Sequence, residues 1–443
     1  MNTILNSRKV VNYFMKFSPP QYFAYFLPNY LIRIKTSLMT INKFILKDKL
    51  NQLLHNNFWI NTIWYVIPLL ATLAKALHGA NNYLIYKGVY AHTLQKTNLF
   101  DFYPNEYADK NHYGIVFSLL IAPFTLLPDW LAILAYQAAQ LFGLNYAIRK
   151  LPITEYKHNV LLLFLLLEAV SNCQNVQFNT FIAFVLVSAY IWLYNQNEFK
   201  TAFIIVLGFF VKLYGIVGLG LFFFVKNKVK FIGYLALSTL ILYLLPLLIT
   251  DFNFLNQSYS DWFTELKSKN GTNSDLNNIH QNMSAVGMFM KITQNNAFNV
   301  LYIVLPAFIL QIAPMIRWDL FQNKVFQMHY LASLLMFIIL FNTATETSTH
   351  IIGVTGVGIW WMNQPNFKSR NMLIFMTFVF FLGTLSTTDL VPKYFNVEIV
   401  RKYSLKALPY LIVWFICVYQ LILGEFITKL QLKDFERHKV NNL

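Results

Sequence analysis

Charge is what this chain has least of. Of its 443 residues only 12% are Asp, Glu, Lys or Arg, about half the share in soluble domains, which excludes a soluble globular fold. Acids are scarcest, 19 against 35 basic residues. The two cysteines, Cys173 and Cys417, lie far apart in or beside apolar segments, which excludes a disulfide framework and a thiolate metal cluster. Residues 1 to 50 are basic and aromatic where a cleavable signal would be apolar, so the start is expected to stay attached. A phosphate-cradling glycine loop, a nucleophile elbow and metal-ligand spacing are also missing, and neither a metal nor a cofactor is expected. There is no inverted internal repeat, heptad, low-complexity tract or appended soluble domain.

What fills the chain instead is apolar. Hydrophobic residues make up 56% and aromatics 17%, with 42 Phe and 26 Tyr. Apolar runs of about 15 to 24 residues recur from residue 59 to residue 428, and a bilayer core asks for roughly 20 per helix. The expected fold is all-α, a polytopic membrane protein with about 12 transmembrane helices. Residues 1 to 58 form a basic segment, 59 to 428 the membrane domain, and 429 to 443 a tail. Arg8, Lys9, Lys16, Arg33, Lys35, Lys43, Lys47 and Lys49 face a single acid, Asp48, which by the positive-inside rule puts the start in the cytoplasm. The basic loops KNKVK, RWDLFQNK and KSR and the tail fit the same side, so both termini are expected in the cytoplasm and the stretch 78 to 113 outside. The net charge of +16 is explained by these helix-end lysines and arginines meeting anionic lipid, and no nucleic-acid partner is expected.

One segment admits two readings. YGIVFSLLIAPFTLLP at 113 to 128 is short and holds Pro123 and Pro128, so it crosses or re-enters. If it re-enters, 149 to 158 is cytoplasmic, as its charge prefers, and 201 to 224 forms two short helices broken near Lys212.

The polar stretch NNYLIYKGVYAHTLQKTNLFDFYPNEYADKNHYG, from residue 81, holds Asp101, Glu106 and Asp109 with Lys87, Lys96, Lys110, His92 and His112 among tyrosines. Tyrosine suits a membrane interface, so the plain reading is an interfacial helix pair with a solvated face. The sharper one is chemical: a carboxylate just above the bilayer deprotonates an acceptor hydroxyl while nearby cations hold a phosphate leaving group.

These blocks resemble glycosyltransferase family 87, the polyprenyl-phosphate-dependent enzymes of the GT-C fold, and a bacterial branch of it in particular. The resemblance runs through NNYLIYKGVY, YPNEYADKNHYGIVFSLLIAPFTLLP, QFNTFIAF, VKLYGIVGLGLFFF, SYSDWF with NMSAVGM, and TETSTHIIGVTGVGIWW, in that order from about residue 60 to 365. It implies inverting transfer of a hexosyl or pentosyl unit from a polyprenyl-phosphate sugar to a lipid or glycan acceptor, outside the plasma membrane, with a first-loop carboxylate as base and no metal. A lipid-linked donor also suits a chain without a nucleotide site. The sequence departs from the family where many members carry an acid after the first span, since Asn81 and Asn82 stand there and an amide is no base. Either the base has moved to Glu106 or Asp109, or catalysis is lost.

Other candidates carry paired readings. Glu346, in TATETSTH, is an acid facing the same aqueous side or a helix cap. His350 is a phosphate or sugar ligand or a tolerated interfacial residue. Lys212, inside an apolar run, holds a lipid phosphate or snorkels. Gln177 and Asn179 bind sugar hydroxyls or satisfy a broken helix end. Glu168 pairs inside the bundle. Asn82, Lys87 and His112 complete the substrate ligands, and 250 to 283 forms a lid. The competing functions are a flippase of lipid-linked saccharides and a binder of them without turnover.

Overall fold

The computed structural model describes residues 48–49, 51–273, 275–276 and 278–425. Among them every regular element is a helix, as the apolar periodicity predicts. The chain divides into a unit Met1–Trp59 and a body Ile60–Leu443. In the first, a helical turn at 51 to 54 is closed by the His55 N–H on the carbonyls of Asn51 and Gln52. The basic segment lies mostly, and the tail wholly, outside the described residues.

The helices are α1 Asn57–Ala76, α2 Asn81–Gln95, α3 Phe117–Thr125, α4 Asp129–Arg149, α5 Glu155–Gln174, α6 Asn179–Tyr194 and α7 Glu198–Val211, then, after a 3₁₀ segment Leu213–Phe224, α8 Lys228–Leu244 and α9 Phe252–Thr272. α10 Ala285–Thr293, α11 Leu301–Ile312, α12 Lys324–Leu340, α13 His350–Met362, α14 Arg370–Gly383 and α15 Ala407–Leu423 follow. Short polar side chains start many of them by accepting an orphan backbone N–H: Thr154 for α5, Asn197 for α7, Asn227 for α8, Asp251 for α9, Ser284 for α10 and Ser369 for α14.

The core sits around α13. Each of its residues from His350 to Met362 is buried, as a helix without a polar face must be, and it packs against α12, α5, α6 and α15.

Four helices are long and apolar enough to cross a membrane: Asn57–Ala76, Asp129–Arg149, Lys228–Leu248 and Arg370–Thr387. Five shorter apolar helices of 10 to 17 residues accompany them. The expected count of about 12 spans therefore exceeds what length and composition establish among the described residues.

The ambiguous segment has a plain geometry. Its helix, α3, holds nine residues, about 14 Å at 1.5 Å each, less than half of a bilayer core. The run 201 to 224 is broken at Lys212, whose φ of −150° and ψ of 123° are extended. The two short helices required by re-entry are both present. Past the break the 3₁₀ segment folds back on α7, and Gly215 makes this possible: a Cβ there would sit 2.3 Å from the backbone of Gly208 and Phe209. The end of α7 is satisfied from the first loop, where the Gly114 N–H donates to the Val211 carbonyl at 3.2 Å.

Candidate functional site

A cavity of about 970 Å³ opens within the body, and its lining is mixed. Asn82, Asp109, His112, Gln177, Lys212, Gln281 and Glu346 are among its polar residues. Its apolar residues include Ile216 and Val217 of the 3₁₀ segment, Val300, Leu301 and Val304 at the start of α11, and Phe337, Ile338 and Phe341 of α12. Such a space suits a ligand with a polar head and a hydrocarbon tail.

Lys212 is the lining lysine that an apolar run carries. The helix break turns it toward Asn179, whose Oδ1 accepts from its Nζ at 2.8 Å, and its ammonium lies 4.8 Å from the Tyr214 ring centroid and 5.6 Å from that of Tyr113. Among the described residues, two aromatic faces and one amide surround this cation and no carboxylate is bonded to it. Asn179 is itself buried and reaches the cavity only through Lys212.

Glu346 caps a turn and also lines the cavity. It begins the turn Thr347–Thr349 and forms a reciprocal capping box with Thr349. Its carboxylate also lines the cavity, where Oε1 accepts from Gln281 Nε2 at 3.0 Å and Oε2 from Gln177 Nε2 at 3.4 Å. Gln281 was not legible as a site residue. It arrives on the irregular stretch 278 to 283, held by the Met283 N–H on the Thr345 carbonyl and by buried Lys291, whose Nζ donates to the carbonyls of Asn278 and Gln281.

The first loop divides its acids. Asp109 lines the cavity, and among the described residues its Oδ1 accepts the neighbouring Lys110 N–H. Glu106 turns away and is bonded by His92 Nε2, at 3.1 to 3.3 Å. Asn82 lines the cavity while its amide donates to the Asn175 carbonyl at 2.7 Å; Asn81 accepts the Ala108 N–H, which fixes the Asp109 turn.

His112 does reach the cavity, but its partner is neither expected acid. Its Nδ1 lies 3.3 Å from Glu265 of α9, which Lys110 also approaches at 3.5 Å, and its Nε2 has no partner among the described residues. Burial works against the Glu265 charge, yet the bond from His112 and the Lys110 ammonium outweigh it and hold the carboxyl below the usual range.

The expected lid between 250 and 283 is largely a helix. α9 lies along the first loop, joined to it by Lys96–Asp251 at 2.8 Å, by Asn98 on Asp261 and by Trp262 Nε1 on the His112 carbonyl at 3.0 Å. From there Leu266, Lys269, Asn270 and Asn273 border the cavity.

Two expected ligands and one expected base lie outside the cavity lining. Lys87 is half exposed and spent on Asp129 at 2.9 Å. Glu106 is occupied by His92. His350 is fully buried behind the Glu346 turn, its Nε2 committed to the Met283 carbonyl at 2.9 Å. For His350 the position at the first turn of the wholly buried α13 is the physical reason. Among the described residues no three His, Cys, Asp or Glu side chains converge as a metal set requires.

The model of glycosyltransferase family 87 matches residues 111–342, just over half of the chain. No curated protein matches the chain.

Proposed function

Since the chain belongs to glycosyltransferase family 87 and is a membrane glycosyltransferase, we propose that it moves one hexosyl or pentosyl unit from a polyprenyl-phosphate sugar to a lipid or glycan acceptor on the outer face of the plasma membrane. The single observation that carries this reading is the cavity, in which Asp109, His112, Lys212 and Glu346 share one lining with apolar residues. The polyprenyl chain lies along Phe337, Ile338 and Phe341, its phosphate at Lys212, its sugar between Glu346 and the amides of Asn82 and Gln177.

Asp109 is the base. It takes the proton of the acceptor hydroxyl, the freed oxygen attacks the anomeric carbon, and the carbon–oxygen bond to phosphate breaks with inversion. The leaving polyprenyl phosphate keeps the electron pair, and Lys212 stabilises that charge. His112, with its unpartnered Nε2, donates to the phosphate or the sugar. Glu346 orients the sugar through its hydroxyls, itself held by Gln177 and Gln281. Both termini and the basic loops lie in the cytoplasm, with the site outside and about 12 membrane crossings in all; residues 59 to 428 make up the transferase domain.

One feature favours a different reading, a binder of lipid-linked sugar without turnover: the resemblance implies an acid where Asn81 and Asn82 stand, and Asn82 lines the cavity as an amide. Purified protein given radiolabelled polyprenyl-phosphate hexoses and a lipid extract separates the two. Labelled product is expected; bound but unconsumed donor would support the binder.

A further inference from the structure

Among the described residues one ion pair is wholly out of solvent. Glu168 of α5 and Lys406, at the start of α15, meet at 2.8 Å, each only 1% exposed. As a source of stability such a pair is poor, because desolvating two charges offsets most of their attraction and an apolar pair of similar volume is often as good. Glu168 moreover has no second polar partner among the described residues to lower that cost. Its value lies in what the ammonium does with its other two hydrogens.

One goes to Thr387 Oγ1 at 3.2 Å and one to the carbonyl of Thr347 at 3.3 Å. Thr347 directly follows Glu346. One turn further along α5, on the same face, Asn172 Nδ2 donates to the carbonyl of Ser348 at 3.3 Å. Successive carbonyls of the Glu346 turn are thus held from behind by α5, one directly and one through Lys406, while the Glu346 carboxylate emerges in front between Gln177 and Gln281. The Lys406 ammonium thus meets one carboxylate oxygen, one hydroxyl and one carbonyl.

We infer that Glu168 and Lys406 are positioning residues, which fix the angle at which Glu346 meets the donor sugar. The inference rests on the reading that Glu346 contacts the donor, and it does not require turnover.

The test is a double-mutant cycle on the full-length protein, read as Kd for a radiolabelled polyprenyl-phosphate hexose and, where product forms, as kcat/KM. Glu168→Leu with Lys406→Met removes both charges together, so no lone buried charge remains. Combined in the native background, the substitutions should weaken donor binding about tenfold, and in a Glu346→Gln background less than about twofold. Should that pair not fold, Lys406→Arg keeps the charge but meets the Thr347 carbonyl with a planar fork, and should give a smaller loss with the same dependence on Glu346. Equal loss in both backgrounds would mean that the pair supports the fold alone, and unchanged binding would dismiss it; either overturns the inference. A Glu346→Gln variant that binds donor normally removes the premise and the inference together. Donor bound but never consumed would defeat the catalytic reading and leave this one standing.

Discussion

Lys212 shows how one residue is forced into a role by its surroundings. A lysine in a run as apolar as 201 to 224 must reach a polar interior, and the extended backbone at this position delivers it to Asn179 and to the cavity. Lys212→Met keeps the length and the packing of the stem and removes the charge. If the ammonium neutralises the donor phosphate, the variant loses roughly tenfold to a hundredfold in kcat/KM for the donor, the range expected for a charge-assisted contact. Lys87→Met, which only breaks a half-exposed pair with Asp129, should stay within about twofold. Steady-state kinetics with a single donor compare the two, and equal losses would refute the assignment of the cation. His350 teaches the converse. By residue type it belonged with the ligands, but its neighbours on α13 have no polar face to offer, and a histidine at that helix start is drawn inside to satisfy Met283.

At the scale of elements, α9 is the piece whose meaning was hidden. Its 21 residues hold one buried stripe, Leu255, Ser258, Tyr259, Trp262 and Glu265, at helical spacing. The stripe was legible, and extending it by one turn from Trp262 would have turned Glu265 inward. What single-sequence reading could not supply was the partner, because His112 is 153 positions earlier and nothing local couples them. The pairing has a pH signature. The folded Glu265 carboxyl titrates below its ordinary value, so the stabilisation is fully present above about 4.3, the unfolded glutamate value, and fades as pH falls through the lower folded value. Acidification should therefore lower the thermal midpoint of the native protein more than that of Glu265→Gln. Parallel acid dependence in the two would show that the Glu265–His112 pairing contributes nothing to stability. The break at Lys212 was, by contrast, legible from charge: the basic character of 149 to 158 favoured a re-entrant 113 to 128, and that reading demanded two short helices where α7 and the 3₁₀ segment now stand.

For the whole molecule, composition sufficed for an all-helical membrane protein, and the ordered blocks for the family. The number of crossings was less accessible. Several apolar helices have 17 residues or fewer, two of them with a proline inside, at 123 and 306, and one ending at an extended residue, 212, so hydropathy sees continuous runs where the chain makes short helices and turns. Sidedness is open to direct experiment. Cys173 and Cys417 are both buried, which leaves little background for a membrane-impermeant maleimide. Asn105→Cys, in the exposed part of the first loop, should label in intact cells if that loop faces outward. Labelling only after the cells are opened would place the site on the other side and require a different donor.

The central claim is that one first-loop acid, and not its neighbour three residues away, removes the acceptor proton. Both lie in the same polar stretch, yet Asp109 borders the cavity and Glu106 is turned to His92. The most direct test measures label transfer from a polyprenyl-phosphate hexose by Asp109→Asn and Glu106→Gln side by side, with donor binding recorded for each. Loss of a general base costs about a hundredfold to ten-thousandfold, so Asp109→Asn should bind donor and all but cease to transfer it, while Glu106→Gln keeps most of the native rate. Full transfer by Asp109→Asn, with the rate lost instead in Glu106→Gln, would contradict the account.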